Sequence, residues 1–233
     1  MKTFKYALLT AVTVFLFAVS AEAQRGRVYH YRYAQGGIPR APQQYSPKYN
    51  SVEEKRYFFN VDWQYNFPLD NGFADKSSGW GMNFEGGYYL TPYWGIGAFL
   101  AFHTNNEYIP RETIRLANGA ITTDRQHSLY QLPFGVSGRY RFLPASIVQP
   151  YIAVKAGANY SRVTAEYYIY ETFEKCWGFY VSPEIGTDIN FTRRGDIGLH
   201  VAAYYSYATN KADVLNYSVD GLSNFGLRVG LKF

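Results

Sequence analysis

The chain has 233 residues, a formal charge of +5, one cysteine, and aromatic residues at 19%, with 24 tyrosines among them. That length suits one domain or one barrel; a slightly negative mean hydropathy and the lack of a second long apolar run exclude a helical membrane protein. One cysteine, Cys176, excludes an intrachain disulfide, and the charge is too small and too dispersed for a nucleic-acid partner.

In chain order, residues 1–23 carry Lys2 and Lys5, an apolar stretch from Ala7 to Val19, and then Ala21-Glu22-Ala23. A charged start, an apolar middle and a small-x-small site predict a secretory signal peptide cut before Gln24. The apolar stretch falls short of the roughly 20 residues that a spanning helix needs. Gln24 in place of a cysteine predicts no lipid anchor there. The next segment, 24–55, has Pro39, Pro42 and Pro47, with Arg25, Arg27, Arg32, Arg40 and Lys48 and no acid before Glu53. Its composition predicts a disordered basic leader on the periplasmic side. A sharper reading makes it a docking segment whose tyrosines and arginines hold a protein partner or an anionic lipid surface.

From residue 56 onward the pattern changes to period-2 alternation, the signature of half-buried strands. Eight segments follow: 57–67, 79–90, 94–103, 127–140, 150–162, 176–191, 196–207 and 224–233. In the first, Tyr57, Phe59, Val61, Trp63, Tyr65 and Phe67 share one face and Asn60, Asp62, Gln64 and Asn66 the other. Connections alternate long and short, and the short ones at 91–93 and 192–195 contain Thr91-Pro92 and Arg194-Gly195. Pro133 and Pro183 fall inside the fourth and sixth segments. Each removes a ladder donor, so bulges are expected there. Aromatic residues gather at both ends of the segments, with Tyr88, Tyr89, Tyr93, Trp94, Tyr140, Phe142 and Phe191 at one level. Trp80, Phe102, Tyr160, Trp177, Tyr205 and Tyr207 lie at the other. Two interfacial girdles are the natural reading.

The last segment places Phe225, Leu227, Val229, Leu231 and Phe233 on one face and Arg228 and Lys232 on the other. With the alternating segments and the long-short rhythm, this resembles the bacterial outer-membrane β-barrel domain family of Gram-negative cells, in particular the small eight-stranded barrels of the OmpA/OmpX type. The resemblance covers 57–233 and implies an all-β, eight-stranded antiparallel transmembrane up-and-down barrel over 56–233. It also implies residence in the cell outer membrane among lipid and lipopolysaccharide. The five apolar residues of the last strand would then be the signal read by the barrel-insertion machinery. No added peptidoglycan-binding domain follows, which departs from the full OmpA plan.

By the same alternation the inner face carries Asp62, Glu85, Glu184 and Asp188 against Arg139, Lys155, Arg228 and Lys232. An eight-stranded lumen is just wide enough for side chains to fill, and unpaired charges there would be costly. An interior salt-bridge network that blocks flow is therefore expected, with a gated ion path as its rival. His103 and His127 point inward beside the longest loop, and two histidines without a third ligand do not make a metal site. His127 and Ser128 are adjacent, so they face opposite ways and cannot act as a nucleophile and base. No catalytic residue, cofactor or metal is predicted. The sequence favours a structural or interaction protein of the outer membrane, a subunit of a larger assembly being one form of that role, with partners held by the 24–55 leader or the outer loops. A narrow porin-like channel for small solutes is second, and a lipid-modifying enzyme third.

Overall fold

The computed structural model describes residues 29–30, 43–44, 55–69, 72–116, 119–167, 170–192, 194–214 and 217–233. The expected signal peptide and most of the leader lie outside them. Within the leader, β1 (Tyr29–His30) pairs antiparallel with β2 (Gln43–Gln44). The remaining strands are β3 (Tyr57–Pro68), β4 (Gly81–Tyr89), β5 (Trp94–Leu116), β6 (Gly119–Arg141), β7 (Val148–Tyr167), β8 (Tyr170–Asn190), β9 (Gly198–Val214) and β10 (Tyr217–Lys232). These eight form a closed barrel in chain order, every neighbour antiparallel, with β10 returning to β3. The seam runs from Lys232↔Asn60 to Asn224↔Pro68, and Phe59 and Phe233 exchange backbone hydrogen bonds just beyond it. Closure leaves no unpaired edge along the paired wall, the condition that a bilayer imposes.

Alternation decides which side chains line the lumen. In β10, Asn224, Arg228 and Lys232 are buried, while Leu227, Val229, Leu231 and Phe233 are exposed on the outer wall. Tyr89 departs from the expected girdle: it shares the inward face of β4 with Asn83 and Glu85 and is buried.

The two prolines do not produce the expected bulges. The β6–β7 and β7–β8 ladders run through Pro133↔Asn159 and Val154↔Pro183 without a shift. On the opposite sides, pairing lapses near each proline and resumes in the same register. Near Pro183 the Ser182 hydroxyl donates to the Tyr205 carbonyl at 2.8 Å, supplying a bond across the interrupted ladder. The register shifts lie elsewhere, between Ile109 and Glu112 and between Asp220 and Leu222. Gly221 sits in the second shift with φ 85°, a backbone state that a side chain would strain.

Three segments expected as loops are strands. β5 and β6 stay paired out to Leu116↔Gly119, β7 and β8 to Tyr167↔Tyr170, and β9 and β10 to Val214↔Tyr217. Three tall hairpins therefore rise from one end of the barrel. Short turns occupy the other end.

Candidate functional site: the filled lumen

The connection between β3 and β4 does not rise with the hairpins. It turns into the barrel mouth, where Phe73 is 2% exposed and Ala74 is fully buried. Phe73 stacks on His127 with centroids 4.2 Å apart and planes 3° from parallel, and Tyr217 meets both rings edge-on. His127 Nδ1 lies 2.7 Å from the Phe73 carbonyl. The Asp75 amide donates to Glu107 Oε2 at 2.7 Å, and Asn105 Nδ2 donates to the Lys76 carbonyl at 3.1 Å. Leu129, Val163, Ala165, Ala212, Val214 and Val219 pack with the loop in one apolar cluster. Above, Arg125 bonds Glu112 at 2.6 Å and the Tyr217 hydroxyl at 3.0 Å. The mouth at the hairpin end is thus stoppered by the chain itself.

Deeper in the lumen a belt of amides and histidine follows. His103 Nδ1 lies 3.2 Å from Gln64 Nε2, and Asn159 Nδ2 donates to Asn210 Oδ1 at 2.9 Å. His103 and His127 thus have separate partners, Gln64 for one and Phe73 for the other. Among the described residues no group of three or more His, Cys, Asp or Glu is placed to hold a metal ion.

Toward the turn end lie the charges. Asp62, Glu85, Arg139, Lys155, Glu184, Asp188, Arg228 and Lys232 are all buried, none more than 4% exposed. Lys155 is the hub, 2.7 Å from Glu85 Oε2 and 2.9 Å from Glu184 Oε2. Arg139 reaches Glu85 at 3.5 Å and Asp188 at 3.3 Å, while Arg228 pairs with Glu184 and Lys232 lies 3.7 Å from Asp188. Neutral groups complete the shells. Asn83 donates to Asp62 at 2.8 Å, Ser137 to Glu85 at 3.1 Å, and Arg228 Nε to Gln64 at 3.3 Å. Aromatic faces cover the guanidinium groups, with Tyr151 3.8 Å from Arg139 and Tyr204 3.9 Å from Arg228.

His200 and Tyr151 also belong to this network. His200 Nδ1 lies 2.6 Å from Asp62 Oδ1, its Nε2 2.5 Å from the Tyr151 hydroxyl, and that hydroxyl 2.7 Å from Glu184 Oε1. These contacts join Asp62, His200, Tyr151 and Glu184 in one continuous chain of hydrogen bonds. Tyr151 has room because position 186 is glycine: a Cβ there would lie 2.6 Å from the Tyr151 hydroxyl. Parity along β7 puts Tyr151 on the face of Lys155, so its direction could be read from the sequence. Its contact with His200 could not.

At the turn end the chain enters the barrel through Lys55, whose ammonium pairs with Asp196. The hydrogen bond to Asp196, more than any other effect, holds that amine above its ordinary range.

Several solved outer-membrane proteins are similar to this chain. Neisserial surface protein A is 15% identical, with 76% of this chain and 95% of that one covered and a TM-score of 0.46. Ail, the attachment invasion locus protein of Yersinia pestis, solved with the heparin analogue sucrose octasulfate, is 15% identical over 77% and 99%, with a TM-score of 0.44. Outer membrane protein W of E. coli is 16% identical over 79% and 98%, with a TM-score of 0.41. No curated protein sequence matches. The family model described as "Outer membrane protein beta-barrel domain" matches residues 9–233, nearly the whole chain, and the chain belongs to this family of outer-membrane barrels.

Proposed function

We propose that this protein is a closed, non-conducting outer-membrane barrel with a structural or interaction role, working as a subunit of a larger assembly. One observation carries the reading: the lumen is filled along its length, by the inserted Phe73 loop at the hairpin end and by paired charges toward the turn end. A pore needs a continuous wet path. Here buried guanidinium, ammonium and carboxylate groups neutralise one another, and breaking such a pair is costly. Contact surface, by contrast, is plentiful on the hairpins, where Tyr108 is 62% and Tyr170 58% exposed. The geometry gives no support to a lipid-modifying enzyme, since His127 is engaged by Phe73 and strand alternation turns Ser128 away from it.

Planar-bilayer recording with the purified full chain tests this. No steady conductance is expected. A large, stable open level would overturn the closed-barrel reading and establish the narrow channel instead. If the bilayer is silent, cross-linking in native outer membranes should trap the chain with a reproducible partner, and a purely monomeric species would remove the assembly role.

A further inference from the structure

The outer wall formed by β7 and β8 changes chemistry rung by rung toward the hairpin end. Ile152 and Val154 lie in the apolar band, 46% and 54% exposed. Tyr160 then faces Trp177 in direct register with rings 5.2 Å apart, and Phe134 meets Trp177 edge-on. Amphipathic rings of this kind settle at the edge of the hydrocarbon. One rung further out, about 7 Å along the strands, Arg162 stands directly opposite Lys175.

Two cations in direct cross-strand register repel each other. Their surroundings answer only part of that charge. Arg162 Nη2 bonds Glu171 Oε1 at 2.6 Å, in an ion pair whose side chains are 41% and 47% exposed. Its Nε has no hydrogen-bond partner among the described residues. Lys175 has only the Phe173 ring, 5.6 Å from its ammonium, and no ion pair among the described residues. Phe173, one rung farther out opposite Thr164, also lies 4.5 Å from the Arg162 guanidinium, so one ring contacts both cations. Glu166 and Glu171 face each other two rungs beyond, at the hairpin tip.

We propose that Arg162 and Lys175 form a clamp for a phosphate-bearing lipid headgroup, with Trp177 and Tyr160 packing against the upper part of its chains. Depth selects this occupant. The cations sit just above the aromatic rung, where the phosphates of a bilayer lie, and of the two acids two rungs beyond only Glu171 reaches back, to Arg162, which leaves the Lys175 ammonium without a carboxylate among the described residues. A free anion in bulk solution would have no reason to prefer a site placed on the level of the girdle. This inference needs only the chain's place in the outer membrane and stands apart from whether the lumen conducts.

The test places the full chain in nanodiscs of one part phosphatidylglycerol to four parts phosphatidylcholine and measures by native mass spectrometry which lipid stays bound. The wild type should retain phosphatidylglycerol preferentially. With a surface cation contributing about a fivefold preference for anionic lipid, K175Q should lower the ratio about fivefold and R162Q/K175Q about 25-fold. R162K/K175R should keep it. K211Q should also leave it unchanged, because Lys211 stands on β9 opposite Asp220 of β10, away from the Arg162–Lys175 rung. Folding of each variant is checked by the mobility shift of the unheated barrel on gels. An undiminished ratio in folded R162Q/K175Q would overturn the clamp. Displacement of the lipid by inorganic phosphate at modest concentration would overturn the lipid as occupant in favour of a free-anion site.

Discussion

Glu184 accepts from Lys155, Arg228 and Tyr151 at once. Glu184→Gln keeps the volume and removes the charge, leaving two buried cations short of a partner. We predict a loss of about 3–5 kcal/mol, the usual cost of breaking a buried pair on one side. Urea unfolding in lipid vesicles, followed by tryptophan emission, measures it. Cost at this scale depends on burial and on how many groups lose a partner. The direction of such residues was legible from parity alone, as for Glu184 and Lys155 on alternate positions of their strands. Their pairing was not, because Asp62 meets His200 across 138 positions of sequence. Alternation says which face a side chain takes and nothing about who stands across the lumen.

The strand elements divide into a part that obeyed the hydrophobic pattern and a part that did not. Inside the bilayer one face must be apolar, so alternation is strong and all eight strands were visible. Beyond it both faces meet water and the signal fades. Residues 119–125, Gly-Ala-Ile-Thr-Thr-Asp-Arg, still continue the sheet. Asn118-Gly119 is a hairpin dipeptide, and with β-branched Thr and Ile it was the clue that these were tall hairpins and not loops. The inserted loop left a fainter trace, a lone apolar Phe73-Ala74 in a polar connection. We predict that Phe73→Ala releases this loop and leaves the barrel closed. A stacked Phe lost to Ala costs about 3–5 kcal/mol in a core, but here the loss cannot exceed the free energy of docking the loop. Brief trypsin treatment should therefore cut at Lys76 in the variant and spare it in the wild type, with the gel mobility of the folded barrel unchanged. Equal resistance in both would show that the loop is held by Asp75, Lys76 and their partners without the ring.

For the whole molecule the consequence lies in timing. Arg228 belongs to the last strand, yet its partners Glu184 and Gln64 belong to β8 and β3. Nor can the Asp62–His200 contact form until the two ends of the barrel approach. A partly assembled sheet would leave these charges in water, so the network is completed only when β10 docks on β3. Interactions absent from the transition state slow unfolding and leave the folding rate almost unchanged. Arg228→Gln should accordingly speed unfolding in urea by at least about tenfold, as a loss of more than 1.4 kcal/mol on that limb requires, while insertion into vesicles keeps its wild-type rate. Stopped-flow unfolding against vesicle insertion separates the two. A slowed insertion would place Arg228 in the nucleus. On this view the interior charges act as a latch that engages last, and the protein's persistence in the membrane is set by how slowly that latch lets go.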